Sequence, residues 1–343
     1  MRQLLNTLYV TTSRAYVHLD HDTLRVEVER ELKLQAPLMQ LGAIFCFGDV
    51  MMSPALIHRC ADDGRTIVLL DQNGRFKARI EGPVGGNVLL RRAQHLALSA
   101  DARRLAIAKN MTAGKLRNSR FMLMRSARDA QDREEADVLS TAAATLANIL
   151  LRSQDRDNLE MLRGDEGEGA RVYFGAFTYM IRENRSAFAL AGRTRRPPLD
   201  RMNAILSFLY TLVRADCHAA LEGVGLDPQV GFFHALRPGR PALALDIMEE
   251  LRPVLADRLA LTLVNRAQLG PGDFDFIPGG AVLLNADGRK TLVIAYQKRK
   301  EEEVEHRVLG QRIPIGLIPH IQARLLARHL RRDLEHYPPY LAR

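Results

Sequence analysis

The sequence predicts an α+β protein: a small N-terminal β-sandwich-like domain over residues 1–80, a linker over 81–92, and a larger all-α domain over 93–343. Three observations carry this. The first 80 residues are short β-branched and aromatic runs divided by polar turns. EGPVGGN, residues 81–87, is then dense in glycine and proline. Beyond it apolar residues recur at three- and four-residue spacing, the period of an amphipathic helix.

Taken in order, LYVT, AYVHL, TLRVEV, ELKL, AIFCF and TIVLL read as strands, and the Asn73-Gly74 pair in DQNGRFKARI reads as a tight turn into another. Ser53 to Cys60 interrupts them as a helix, with Ser53 as N-cap and Pro54 at the first helical position. After the linker, LLRRAQHLALS, ARRLAIAKNMTAGKLRNSRFMLMRSA and ADVLSTAAATLANILLRSQ are helical. Asp227-Pro228 opens a further helix that places His234 about two turns along. RPGRP breaks the chain, ALALDIMEEL forms the next helix, and Arg252-Pro253 ends it. The exception is AVLLNADGRKTLVIAY, where Asp287-Gly288 joins two apolar runs like a hairpin.

No apolar run approaches the ~18 residues of a membrane span, and MRQLLNTLYVTT lacks the features of a signal peptide. The expectation is a cytoplasmic protein with no membrane role. Cys46, Cys60 and Cys217 show no paired spacing, which argues against a disulfide framework, a zinc site or an iron–sulfur site. The net charge of +9 is unevenly placed. Residues 1–80 hold ten Lys/Arg against nine Asp/Glu, whereas Arg91 to Arg128 hold ten basic residues against the single acid Asp101. Such a field suits a polyanion, and with no Trp to form a stacking platform, phosphate contacts to double-stranded DNA are the expected use.

LRGDEGEGARVYF, residues 162–174, concentrates Asp165, Glu166 and Glu168 at one turn. One reading is an exposed acidic helix start facing the positive end of the macrodipole. The other needs partners, and residues 225–253 offer them. On ALALDIMEEL, Leu243, Ile247 and Leu251 form an apolar stripe, and Asp246 and Glu249 share a neighbouring face, with Glu250 about 100° further round. These acids, with His234 twelve residues before Asp246, are set to converge with Glu166 on a divalent cation. Carboxylates with one imidazole suit Mg²⁺ or Mn²⁺ better than zinc. Such a cation would activate a hydroxyl or water against a phosphodiester. Ordinary surface acids and a core histidine remain the alternative.

The chain also resembles a known family. LGAIFCFG, SPALIHRCADDG, AKNMTAGKLRNSR, LRGDEGEGARVYF, RRPPLDRMNAILSFLYTLV, GLDPQVGFFHALRPGRPALALDIMEELRP and IPHIQARLLARHLRRDLEHYPPYL occur in the order found in the first-numbered CRISPR-associated proteins, the integrases that insert spacers into CRISPR arrays. The YPP ending is similar to the type I-C branch. The resemblance implies metal ligands at Glu166 in its G-x-E-G stretch, at His234, and at Glu249 within the D-I-M-E segment, with Asp246 as a close catalytic supporter. Asp165 and Glu168 are then dispensable helix-start acids. It further implies that Lys115, Asn118 and Arg120, and the basic stretch Arg193, Arg195 and Arg196, contact DNA. Tyr173 and Tyr210 read as core, and the HYPPYLAR tail as a docking segment or a frayed end.

The function implied is metal-dependent integration, in which the 3'-hydroxyl of a short foreign DNA attacks a phosphodiester at the end of a CRISPR repeat. This is spacer acquisition in antiviral defence. The implied partners are a second copy, giving a homodimer through the β domains, and the small second-numbered CRISPR-associated protein, in a heterohexamer. In the type I-C branch an iron–sulfur exonuclease joins them as a separate chain. Two rivals predict different outcomes: a stand-alone metal nuclease that cuts without joining, and a non-catalytic DNA-binding scaffold.

Overall fold

A computed structural model describes residues 7–72, 76–82, 88–130, 132–190, 192–194 and 196–342. The chain divides into two compact units, Met1–Gly85 and Gly86–Arg343.

In the first unit, β1 (Thr7–Val10), β5 (Ala43–Phe47), β7 (Thr66–Leu70) and β8 (Phe76–Ile80) form one four-stranded sheet in the order β1-β5-β7-β8. It is parallel except for the antiparallel β7–β8 pair. The second sheet runs β4-β3-β2-β6, from β2 (Tyr16–Asp20), β3 (Thr23–Val28), β4 (Glu31–Pro37) and the short β6 (Met51–Met52). Val17, Leu24 and Val26 of this sheet share one core with Ile44, Cys46 and Ile67 of the first, closed by Leu56 and Cys60 of α1 (Pro54–Asp62). Alternating burial along β3 turns one face of the second sheet inward, whereas β5 and β7 of the parallel sheet are buried on both faces. Ser53 caps α1 through Leu56 N at 3.2 Å, with Pro54 in the first turn. The cysteines are free and buried, and burial pushes the Cys46 thiol up to about 12 and the Cys60 thiol to about 11. The Asn73-Gly74 turn lies outside the described residues.

The second unit is largely helical. Its elements are α2 (Val88–Ser99), α3 (Asp101–Arg128), α4 (Arg133–Gln154), α5 (Leu159–Ala176), the single turn α6 (Arg185–Phe188), α7 (Arg201–Val224), α8 (Ala242–Leu251), α9 (Arg258–Asn265), α10 (Ala286–Glu301) and α11 (Ile318–Leu330). Two hairpins interrupt them, β9 (Phe274–Ile277) with β10 (Ala281–Leu284), and β11 (Glu303–His306) with β12 (Gln311–Pro314). Part of the expected linker is already helix, since α2 begins at Val88. α7 is long and apolar enough to cross a membrane, which corrects the reading that no run approaches that length. Its Met202, Ile205, Leu206, Leu209, Leu212, Val213 and Leu221 are instead buried within this unit.

Three local readings change. Asp287-Gly288 is no hairpin: Asn285 accepts from Gly288 N at 2.9 Å and caps α10, so the pair sits in a first helical turn. The chain does not stop at Arg252-Pro253 but runs through a π-helical stretch, Arg252–Asp257, into α9. Nor does Asp227-Pro228 start a helix. It makes a single turn, with Gln229 N on Asp227 Oδ1, docked by the buried Gln94 of α2 onto the carbonyls of Asp227 (2.8 Å) and Val230 (2.9 Å).

Candidate metal centre

Glu166 lies in the middle of α5, not at a helix start. That helix begins eight residues earlier, where the Asn158 side chain accepts from Met161 N at 2.9 Å. What α5 needs at this point is close approach. A Cβ on Gly169 would lie 2.4 Å from Leu116 Cδ2 of α3, so any larger residue would push that leucine aside. The contact sets Glu166, one turn before Gly169, against Lys115, the neighbour of Leu116. Their side chains form an ion pair.

His234 is held from the opposite direction. Asp246, wholly buried on α8, accepts from the backbone N–H groups of Phe232 (2.6 Å), Phe233 (3.0 Å) and His234 (2.9 Å). It also lies 2.6 Å from His234 Nδ1. This is why residues 232–234 leave helical geometry: their donors face a buried carboxylate, which needs them more than a helical ladder does. The carbonyls are taken too, Phe232 O by Arg104 Nε (3.0 Å) and Phe233 O by Arg163 Nη2 (2.7 Å). Phe233 fills a small core with Ala108 and Leu162. With Nδ1 committed to Asp246, Nε2 is the nitrogen left toward Glu249, 3.7 Å from its Oε1.

Glu249 completes the cluster from α8. It is 4% exposed. Lys115 Nζ approaches its Oε2 at 2.7 Å and Arg252 Nη1 its Oε1 at 2.9 Å. Burial pushes this carboxyl up, but Arg252, Lys115 and His234 together hold it at about 2. Glu166 and Glu249 thus reach the same ammonium from different helices. Two carboxylates and an imidazole nitrogen are a donor set that suits a hard divalent cation. Lys115 stands between the two carboxylates, and Arg252 holds the other oxygen of Glu249.

The neighbouring acids do other work. Asp165, expected to be a dispensable helix-start acid, is 2% exposed and gripped by Arg156 (2.7 and 2.9 Å) and Arg152 (2.9 Å). Those two guanidiniums hold its carboxyl below the usual range, and burial opposes them. Glu168 makes a half-exposed pair with Arg152. Arg104, Arg163 and Arg252 carry structural duties at the site that the sequence did not disclose. Arg252 was hidden by reading Arg252-Pro253 as a helix stop, when it follows Glu249 by one turn of continuing helix.

The residues expected on DNA divide. Lys115 turns into the centre. Asn118 is fully buried, its amide donating to Glu250 O (2.8 Å) and Tyr340 O (2.9 Å), so it has no free face for a phosphate. Arg193 bonds Asn203 Oδ1 (2.6 Å) and Ser207 Oγ (3.1 Å) and stacks over Tyr210. Arg120 is half-buried, Arg196 is exposed, and Arg195 lies outside the described residues. Tyr173 is buried. Tyr210 is half-buried beneath Arg193 and Arg252 and donates to Asp257 Oδ1 at 2.7 Å. Within the HYPPYLAR tail Tyr337 and Tyr340 are buried, so its described residues 337–342 are packed rather than frayed. Of the basic run, Arg92, Arg117, Arg125 and Arg128 stay exposed.

The model of the family "CRISPR associated protein Cas1" matches residues 8–298. The chain belongs to the Cas1 family. It is 57% identical over 343 residues to "CRISPR-associated endonuclease Cas1 1" of Moorella thermoacetica, covering 100% of both chains. Among solved structures it resembles a chain of the "Cas6-RT-Cas1--Cas2 complex" with a TM-score of 0.83 at 22% identity, covering 100% of this chain and 36% of that longer one. It also resembles a "Casposase bound to integration product" with a TM-score of 0.80 at 21% identity, covering 96% and 92%. At such identities the structural likeness speaks for the fold, and the Cas1 assignment rests on the sequence matches.

Proposed function

We propose that this Cas1-family enzyme is a metal-dependent DNA integrase and endonuclease. It joins the 3'-hydroxyl of a short foreign DNA to a phosphodiester at the end of a CRISPR repeat. The new P–O bond forms as the repeat strand's P–O3' bond breaks, and the departing 3'-oxygen takes up a proton. The observation that carries the reading is the convergence of Glu166 and Glu249 on one cation position beside His234 Nε2. These three would hold Mg²⁺ or Mn²⁺, which when bound supplies charge stabilisation at the phosphoryl group. Asp246 fixes the tautomer and orientation of His234. The exposed arginines of α2 and α3 hold the duplex by its phosphates.

The name of the "Cas6-RT-Cas1--Cas2 complex" supports a Cas2-type partner. A homodimer with that partner in a heterohexamer, in the cytoplasm and alongside an iron–sulfur exonuclease, is the assembly the family resemblance implies.

The test is strand transfer of a labelled short duplex into a supercoiled plasmid carrying a leader and repeat, with the partner and Mn²⁺ present. Wild type is expected to give metal-dependent joined product, and Glu166→Ala none. Nicking without joining would favour a plain nuclease. Intact DNA binding with neither reaction, in folded and assembled protein, would leave only a scaffold.

A further inference from the structure

The C-terminal segment, residues 337–342, lies against the back of the metal centre. Glu250, next to Glu249 on α8, points about 100° away from the site and is fully buried. Its carboxylate accepts from the Tyr337 hydroxyl, from Tyr340 N (2.5 Å) and from Gln322 Nε2 of α11 (3.0 Å). Gln322 also donates to Pro338 O at 3.0 Å, and its Oε1 accepts from His306 Nε2 at 3.1 Å. Asn118 closes the arrangement from α3. Its Nδ2 donates to Glu250 O and Tyr340 O, and its Oδ1 accepts from Ala342 N at 2.9 Å. Gly114, the residue before Lys115, leaves room for the tail: a Cβ there would lie 2.9 Å from Pro339 Cβ and 3.2 Å from Glu250 Cγ.

The same turns of α3 and α8 therefore carry two sets of contacts. Lys115 and Glu249 face the cation position, while Gly114, Asn118 and Glu250 face the tail. We propose that residues 337–342 are a positioning element for Glu249, with Glu250 and Asn118 as its clasp. Burying the Glu250 carboxyl requires hydrogen-bond partners, and the tail supplies two of them through Tyr337 and Tyr340, so the tail fixes the rotation of α8 about its axis and its spacing from α3. The direction in which Glu249 meets a cation follows from that. The inference rests on the reading of Glu166, His234 and Glu249 as metal ligands.

The experiment titrates Mn²⁺ into the full chain and reads the free ion by electron paramagnetic resonance. The variants are Tyr337→Phe, Gly114→Ala, a chain ending at residue 336, and Glu249→Ala. Tyr337→Phe and Gly114→Ala are expected to weaken Mn²⁺ binding by about tenfold, the low end for residues that orient ligands. Both should stay folded at the assay temperature by circular dichroism, and strand transfer should recover at saturating Mn²⁺, which a merely unfolded fraction would not show. The shortened chain should regain affinity when the peptide YPPYLAR is added. Wild-type affinity in both point variants, with binding lost in Glu249→Ala, would overturn the positioning role and leave the metal centre standing. Unchanged binding in Glu249→Ala would overturn the metal-centre reading and this inference with it.

Discussion

Lys115 Nζ sits 2.7 Å from Glu249 Oε2 while also pairing with Glu166, so one ammonium neutralises two carboxylates from different helices. A cation entering that position must displace the lysine. Lys115→Met removes the competing charge and should tighten Mn²⁺ binding by at least about tenfold, given the Coulomb energy of charges this close. Added Mn²⁺ should also raise the thermal midpoint more in the variant than in wild type, because the variant loses the ammonium between Glu166 and Glu249 and keeps only Arg252 on the far oxygen of Glu249. Weaker binding would instead show that Lys115 aligns the ligands.

Asp246→Asn keeps the shape of the side chain but loses acceptor capacity at a site with four donors: three backbone N–H groups and His234 Nδ1. Strand-transfer kcat is expected to fall about 10- to 100-fold, as for other groups that orient a ligating histidine. Denaturant unfolding should show a loss of about 1–3 kcal/mol from the disrupted buried hydrogen bonds.

Asp165 and Glu168, three residues apart, should respond differently to replacement by alanine. Asp165→Ala leaves Arg152 and Arg156 without their shared carboxylate at a buried position and should lower stability by about 2 kcal/mol. Glu168→Ala removes a half-exposed pair and should leave the urea midpoint where it was. Equal midpoints for the two variants would contradict the buried role given to Asp165.

A pH dependence follows from Asp257, fully enclosed beside Tyr210, Tyr173, Arg252 and Arg193. Burial raises its carboxyl to about 6 from an ordinary 3.8, against the pull of its tyrosine partners and the two arginines. The folded state therefore holds the proton more tightly than the unfolded chain. The group's contribution to stability is full below the unfolded value and is lost as pH rises through about 6, a change on the order of 3 kcal/mol. Asp257→Asn should flatten the stability profile between about pH 4 and 6 relative to wild type. A slope as steep as that of wild type would place the titration elsewhere.

The strands and the α1 cap were legible because short β-branched or aromatic runs between polar turns and a Ser-Pro start are local signals, readable without knowing what packs against them. Glu166, His234 and Glu249 were implied by motif order, and the fold brings Glu166 and Glu249 to the same lysine, with His234 Nε2 3.7 Å from Glu249 Oε1. The readings that changed share a cause. Asp227-Pro228 has the chemistry of a helix start, but Asp246, some twenty residues on, takes the N–H groups that a helix would use. Asp287-Gly288 has the chemistry of a hairpin turn, yet Asn285 and the apolar period after it make a helix. Asn118 looks like one more polar residue on a basic helix, and only the returning tail turns it inward.

The sequence by itself determined the two-part α+β architecture, the change of period that separates strands from helices and the excess of positive charge. All of these depend on residue type and spacing along the chain. The tertiary structure alone decided that Asp165 is an anchor, that Lys115 fills the cation position, that Arg252 belongs to the site, and that the last residues brace α8. Each of these depends on burial. Whether a charged side chain is solvated or enclosed sets whether it needs a partner, and residues far apart in the chain supply that partner.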